Sequence, residues 1–326
     1  MNKIKKIKAA LWVSLVLPAL FLTGCSSVNL PPVTEESNNK QLPGKIIWHD
    51  LITDKPVLTK KFYQTLFGWE FEDLSIAGGF FSNVNYTLIR HEGKLIGGMV
   101  DQTKLPVKAD ISQWVVLMSV RNINQSVDEV KRSGGIVFSP VTDLGDRGKV
   151  AIVADPQGAL LGFIQTKEGD PQDRNTIHSG DFLWNELWTS DVNNATSFYQ
   201  RIAEYSIEDR QIESGKHNDK HNDKHNDKQY RLLTTQNKPR VAILDNPIEN
   251  LSPVWVSYLR VDDAKALDVL ISQVEALGGE ILLAPQDRDI GGRVAFIAGP
   301  SGAGIALQTW PKESKIKQAP LTEAKD

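Results

Sequence analysis

Cysteine is nearly missing from this chain of 326 residues: Cys25 is the only one. A lone thiol excludes an internal disulfide and any metal site built from several Cys ligands, so stability has to come from packing. Positive charge is not in excess, with 37 Lys and Arg against 40 Asp and Glu and a formal net charge of −3. That balance argues against nucleic acid as a partner, because phosphate binding wants a basic face. Long apolar runs are confined to residues 9–22, and that run is too short for an ordinary spanning helix. The chain has no Gly-x-Ser-x-Gly elbow, no phosphate-cradling glycine loop and no His-Glu-x-x-His, so the common hydrolase, nucleotide and protease signatures are lacking.

What is present begins at the N-terminus. Lys3, Lys5, Lys6 and Lys8 precede the apolar run, which ends in Leu22-Thr23-Gly24-Cys25. This pattern resembles a bacterial lipoprotein signal, with residues 1–24 as the signal peptide. The resemblance implies cleavage before Cys25, a diacylglycerol on its sulfur and an acyl chain such as palmitate on its new amine. Two or more buried acyl chains hold a protein to a bilayer stably. The lipid bilayer is then a partner and the cell envelope the location. Ser26 after the cysteine resembles cargo of the outer membrane, facing the periplasm, if the cell is Gram-negative. An uncleaved signal anchor with a chance cysteine is the competing reading. Cleavage removes four lysines and takes the formal charge from −3 to −7. Residues 25–44, rich in Pro, Ser, Asn, Thr and Glu, read as a flexible stalk. Residues 312–326 read as a polar tail.

An internal repeat organises the rest. Trp48-His49-Asp50-Leu51-Ile52-Thr53 followed by Phe62-Tyr63 returns as Trp184-Asn185-Glu186-Leu187-Trp188-Thr189 followed by Phe198-Tyr199, at the same spacing. Gly134-Gly135 recurs as Gly278-Gly279, Gly148-Lys149-Val150-Ala151 as Gly292-Arg293-Val294-Ala295, and Trp114 as Trp255. Such self-similarity fixes the architecture before any single motif is read.

Within the first copy, residues 46–52 form a β-rich run and residues 57–66 carry helical spacing closed by Gly68. Residues 80–89 and 93–100 suit a hairpin, 114–120 a strand, 123–132 a helix, and 149–154 with 160–165 a strand pair. The reading is an α+β fold in which paired βαβββ modules form two cup-shaped mixed sheets, over residues 45–168 and 178–311.

The stretches Trp48-His49-Asp50-Leu51-Ile52-Thr53, Phe62 to Trp69, Ile96-Gly97-Gly98-Met99 and Gly148 to Ala159 resemble the glyoxalase, bleomycin-resistance and extradiol-dioxygenase group, the vicinal oxygen chelate proteins. The resemblance implies one divalent ion per cup, bound by His and Glu, with open positions for two substrate oxygens. Carried over position by position, the ligand places fall on Trp48, Val115 and Gly162 in the first copy and on Trp184, Val256 and Ala306 in the second. None is a metal ligand, so no cofactor is expected in the cups. His49 is the weak alternative ligand: it lies one step off the cup face unless a bulge turns it inward.

Other candidates are fewer. Asp50 and Glu186 share a strand face with the cup tryptophans and are weak catalytic candidates, against the reading of hydrogen-bonded structural carboxylates. Trp48 and Trp184 are candidate small-molecule-binding residues or plain core. His91 and His178 read as surface residues in polar turns. The tandem repeat at 216–228 sets His217, His221 and His225 four apart, weak candidates for adventitious metal, against repeat expansion in a loop. Three functions follow: a lipid-anchored, metal-free binding or accessory protein; a metal-dependent lyase or oxidoreductase using His49, with a divalent metal as cofactor; or a structural lipoprotein for protein contacts.

Overall fold

The computed structural model describes residues 28–37, 39–74, 86–105, 110–211, 229–248, 251–288 and 291–310. The first half runs β1 (Ile46–Thr53), α1 (Pro56–Phe67), β2 (Glu70–Leu74), β3 (Tyr86–His91), β4 (Lys94–Asp101), β5 (Gln113–Ser119), α2 (Ile123–Arg132), β6 (Ile136–Asp143), β7 (Lys149–Ala154) and β8 (Leu160–Gln165). The second half repeats the order with β9 (Phe182–Thr189), α3 (Val192–Ala203), β10 (Ser206–Gln211), β11 (Gln229–Thr235), β12 (Lys238–Asp245), β13 (Val254–Val261), α4 (Ala264–Val274), β14 (Glu280–Asp287), β15 (Arg293–Ala298) and β16 (Gly304–Thr309). Each half is a βαβββ unit used twice.

The sheets have the same plan. Strand order is β2-β3-β4-β1-β5-β8-β7-β6 in one and β10-β11-β12-β9-β13-β16-β15-β14 in the other. β1 is parallel to β4 and antiparallel to β5, which places the two module starts side by side at the sheet centre. Each sheet is thus mixed and curls around one concave face, the cup.

Local sequence accounts for the helices. α1 opens on Pro56, whose missing N–H costs nothing in a first turn, and closes on Gly68 at φ 71°. Asn122, Asp191 and Asp263 accept hydrogen bonds from first-turn amides of α2, α3 and α4. The buried faces of these helices do not stay within their own half. α2 and α3 share a core with Val116, Met118, Phe163, Val241 and Trp255, while α1 and α4 share another with Leu51, Trp69, Leu259 and Leu307. The helix layers are common to both halves.

Residues 28–44 correct the stalk expectation. Val28, Leu30, Val33 and Leu42 are buried, and the first three pack with Trp48, Tyr86, Val115, Leu117 and Val150 inside the first cup. Backbone bonds hold the segment there: Leu30 N–H donates to Leu144 O at 2.9 Å, and Arg147 N–H donates to Leu30 O at 3.0 Å. The segment is a strap lying in the cup. Its apolar side chains gain more from the cup than a solvated linker could give them.

Candidate functional site in the two cups

Strand register decides what faces each cup. Pairing between β1 and β5 skips Ile47, and pairing between β9 and β13 skips Leu183, so each copy carries a bulge just before its cup tryptophan. Beyond the bulge the alternation is regular, and Trp48, Asp50 and Ile52 share the cup face. The bulge comes too early to turn His49 inward. Its ring stacks on Phe182 at 3.6 Å, and its Nε2 lies 2.9 Å from Asn185 Oδ1, between the two sheets. Burial pushes the His49 pKa down to about 4, against a smaller opposing effect of the Asn185 hydrogen bond.

In the first cup, Asp50 is the acceptor of a closed network. Trp48 Nε1 donates to Asp50 Oδ1 at 2.9 Å and also faces Tyr86 Oη at 3.0 Å; Tyr86 Oη donates to the same carboxylate oxygen at 2.7 Å. Arg147 Nη1 donates to Tyr86 Oη at 2.6 Å, its Nε donates to Pro31 O at 3.0 Å, and its guanidinium lies 4.4 Å above the Trp48 ring. A cation over an indole face gains from the ring quadrupole. Burial pushes the Asp50 carboxyl up, while Arg147, Tyr86 and Trp48 oppose that shift. Gly98 faces Asp50 across the sheet, where a Cβ would collide with the Tyr86 hydroxyl and Asp50 Oδ1.

The second cup repeats the chemistry with more donors. Glu186 is fully buried. Tyr230 Oη donates to Oε1 at 2.9 Å, Tyr258 Oη and Trp188 Nε1 donate to Oε2, and Arg288 Nη2 bridges both oxygens at 2.5 and 2.7 Å. Arg288 Nη1 donates to Gln308 Oε1 at 2.6 Å, and its guanidinium lies 4.7 Å from the Tyr258 ring centre. Burial is the largest single effect and acts against the Arg288 charge, but Glu186, Tyr258 and Tyr230 together outweigh it and raise its pKa. Burial likewise pushes the Tyr230 and Tyr258 phenols up, and the Glu186 carboxylate adds to the shift. Around this network stand Trp184, Leu244, Ile248, Leu251, Val254 and Leu282, all only partly buried. No strap covers them among the described residues.

The six ligand places can now be tested for fit. Trp48 and Val115 belong to the first cup, Gly162 sits against Leu117 and Ile152 beside them, and Trp184, Val256 and Ala306 belong to the second. None offers an N, O or S atom that binds a divalent ion. Asp50 already accepts from Trp48 and Tyr86, and Glu186 from Tyr230, Tyr258, Trp188 and Arg288. The residues present do not fit the ion that the fold family implies. Among the described residues, no group of three or more His, Cys, Asp or Glu could hold a metal.

The remaining sequence candidates are scattered. His91 corrects its surface reading: it is buried, with Nδ1 at 2.7 Å from Asp181 Oδ1. His178 is partly exposed beside Glu92. His217, His221, His225 and Cys25 lie outside the described residues. Among the described residues no helix is long and apolar enough to cross a membrane.

Sequence reasoning missed Arg147, Arg288, Tyr86, Tyr230 and Tyr258. One signal was there: an Asp-Arg pair, Asp146-Arg147 and Asp287-Arg288, precedes Gly148 and Gly292 in the two copies. In both, the arginine reaches back to the cup carboxylate or its tyrosine.

No protein-family model matches the chain. It is 28% identical over 258 residues to "Putative glyoxylase CFP32" of Mycobacterium tuberculosis, covering 78% of this chain and 91% of that one. A Mn(II)-bound glyoxalase from Novosphingobium aromaticivorans superposes with a TM-score of 0.52 at 13% identity, over 82% of each chain. The 2,3-dioxygenase LapB from Pseudomonas sp. KL28 superposes with a TM-score of 0.53 at 11% identity, over 86% of this chain and 97% of its own. With paired βαβββ modules in two mixed sheets of identical order, the chain has the two-domain fold of the glyoxalases and extradiol dioxygenases, the vicinal oxygen chelate fold.

Proposed function

We propose that the chain is a lipid-anchored cell-envelope protein with a metal-independent small-molecule binding or accessory role, and that the second cup is its binding site. The donor set carries this reading. Where relatives of this fold family are expected to keep His and Glu, the cups present indole, aliphatic side chains and glycine, and a guanidinium supplies the positive charge. The first cup is occupied by residues 28–33, whereas the second keeps partly exposed apolar walls around Trp184. Such walls suit a planar or apolar ligand with few polar groups.

The probe is 1-anilinonaphthalene-8-sulfonate, titrated against the chelator-treated mature protein. One saturable site is expected, unaffected by chelator and lost in Leu244→Glu or Leu282→Glu. Binding that ignores both substitutions overturns the site assignment. The anchor is tested separately by metabolic labelling with a fatty-acid analogue, which should mark the wild type and not Cys25→Ala.

A metal-dependent glyoxalase- or dioxygenase-type activity is the second reading, favoured by the likeness to a glyoxylase-named relative. Elemental analysis after dialysis separates the two. Near-stoichiometric Fe, Ni, Zn or Mn that disappears in His49→Ala would establish the second reading and end the first.

A further inference from the structure

The strap and the single cysteine are close neighbours in the chain. Val28 is already buried in the first cup, and only Ser26 and Ser27 separate it from Cys25. Three residues of extended chain span at most about 11 Å. A flexible stalk over residues 25–44 would have an end-to-end distance of about 24 Å. The difference decides how far from its anchor the body can stand.

The body is shaped to keep the strap. Gly145, at φ 68°, sits where a Cβ would collide with the Asn29 side chain. Asn29 Oδ1 accepts from Asp146 N–H at 2.8 Å, and its Nδ2 donates to Asp146 Oδ2 at 3.2 Å. Arg147, itself buried, donates to Pro31 O. Further along, a Cβ at Gly169 would meet the backbone of Asn39 and Lys40, while Leu42 N–H donates to Asp170 Oδ2 at 2.5 Å. The contacts run the length of the segment.

We infer that the first cup is a docking element for the chain's own N-terminus, and that it seats the body directly on the lipid surface with the rim around Asn29, Asp146 and Lys167, whose Nζ pairs with Asp146 Oδ1 at 2.8 Å, facing the headgroups. This rests on acylation of Cys25. The membrane contact is set by a tether of three residues, and the first cup has exchanged a ligand site for an orientation device. The second cup is left as the site of binding.

The test uses the mature protein on a supported bilayer of phosphatidylethanolamine and phosphatidylglycerol, with the water gap beneath it read by neutron reflectometry. Intact mass first reports whether the purified protein carries lipid on Cys25, so failure of the anchor reading is seen before any gap is measured. A chain without lipid is coupled through the same thiol to a maleimide lipid, and the gap is measured as before. The expected gap is no more than about 11 Å. A Gly/Ser insert of about twelve residues between Ser27 and Val28 leaves the strap in place and should widen it to about 21 Å. Hydrogen exchange around residues 145–148 should slow on the bilayer for the wild type and not for the insertion variant. A wild-type gap near 24 Å, or one that the insert does not change, overturns the inference.

Discussion

At the scale of single residues, the cups turn on two carboxylates: buried Glu186, bonded directly to Arg288, and Asp50, which Arg147 reaches through Tyr86. Removing one partner of a buried pair leaves the other charged and dry, which costs about 3–5 kcal/mol, whereas removing both costs much less. Arg288→Met alone should therefore destabilise strongly through Glu186, and the double variant Glu186→Gln with Arg288→Met should recover a good part of the loss. Urea denaturation of the four proteins measures the coupling; additive losses would show that the pair is not a unit. His49 gives a pH signature. Its folded pKa of about 4 lies below the ordinary value of 6.5, so the unfolded chain takes up the proton first as pH falls. Stability from this group is full above about pH 6.5, declines between there and pH 4, and then levels, a total of about 3 kcal/mol. His49→Gln should remove that component, read as the difference between the two stability curves.

The cup face of β1 and β9 was legible because an internal repeat lines up Trp48 with Trp184 and Asp50 with Glu186. Their partners were not legible. Tyr86 reaches Asp50, and Arg147 reaches Tyr86, from positions dozens of residues away, and only the recurring Asp-Arg pair pointed to the arginine. The bulges at Ile47 and Leu183 were equally silent, since nothing in their residue types distinguishes them from regular strand.

At the scale of elements, α2, β7 and β8 fall where periodicity and turn residues put them, at Ile123–Arg132, Lys149–Ala154 and Leu160–Gln165. The strap was the element misread. Its Pro, Ser, Thr, Asn and Glu content signals solvated chain, and its buried residues Val28, Leu30, Val33 and Leu42 follow no helix or strand period. For Val28, Leu30 and Val33 only the cup supplies the reason for burial. Leu30→Ala should therefore cost about 2–5 kcal/mol, the range for a buried leucine. Denaturant unfolding of the protein checks it, and a change within about 0.5 kcal/mol, the range for an exposed site, would restore the stalk.

At the scale of the whole molecule, each cup has its own apolar cluster but the helix-layer cores are shared between the two sheets. α1 packs with α4 and α2 with α3, and the seam is stitched by polar pairs: His91 with Asp181, Tyr199 with Asp155 at 3.0 Å, and Arg201 with Glu129 at 2.6 Å. Cutting the chain into residues 45–168 and 178–311 would bare large apolar faces on both products. Residues 45–168 alone should give weak near-ultraviolet circular dichroism despite carrying Trp48, Trp69 and Trp114, and should unfold without a sharp transition. A cooperative transition in the isolated half would show that each sheet has a sufficient core. The fold was readable at this scale because repetition is a property of the whole sequence. The pairing of helices across the seam was not, because all four helices carry similar apolar stripes.

The strap also sets an order of events in folding. Asn29 and its partner Asp146 are 117 residues apart in the chain, and the cup that receives Val28 and Leu30 needs residues from β5, β7 and β8. No docking surface exists until well over a third of the protein has been delivered. Throughout that interval Val28 and Leu30 have no cup to enter, and under the proposed lipid anchor the thiol three residues before Val28 is acylated then. Docking then closes the neighbourhood, so under the proposed lipid anchor acylation has an early window, and a chain that misses it folds with Val28 and Leu30 already in the first cup.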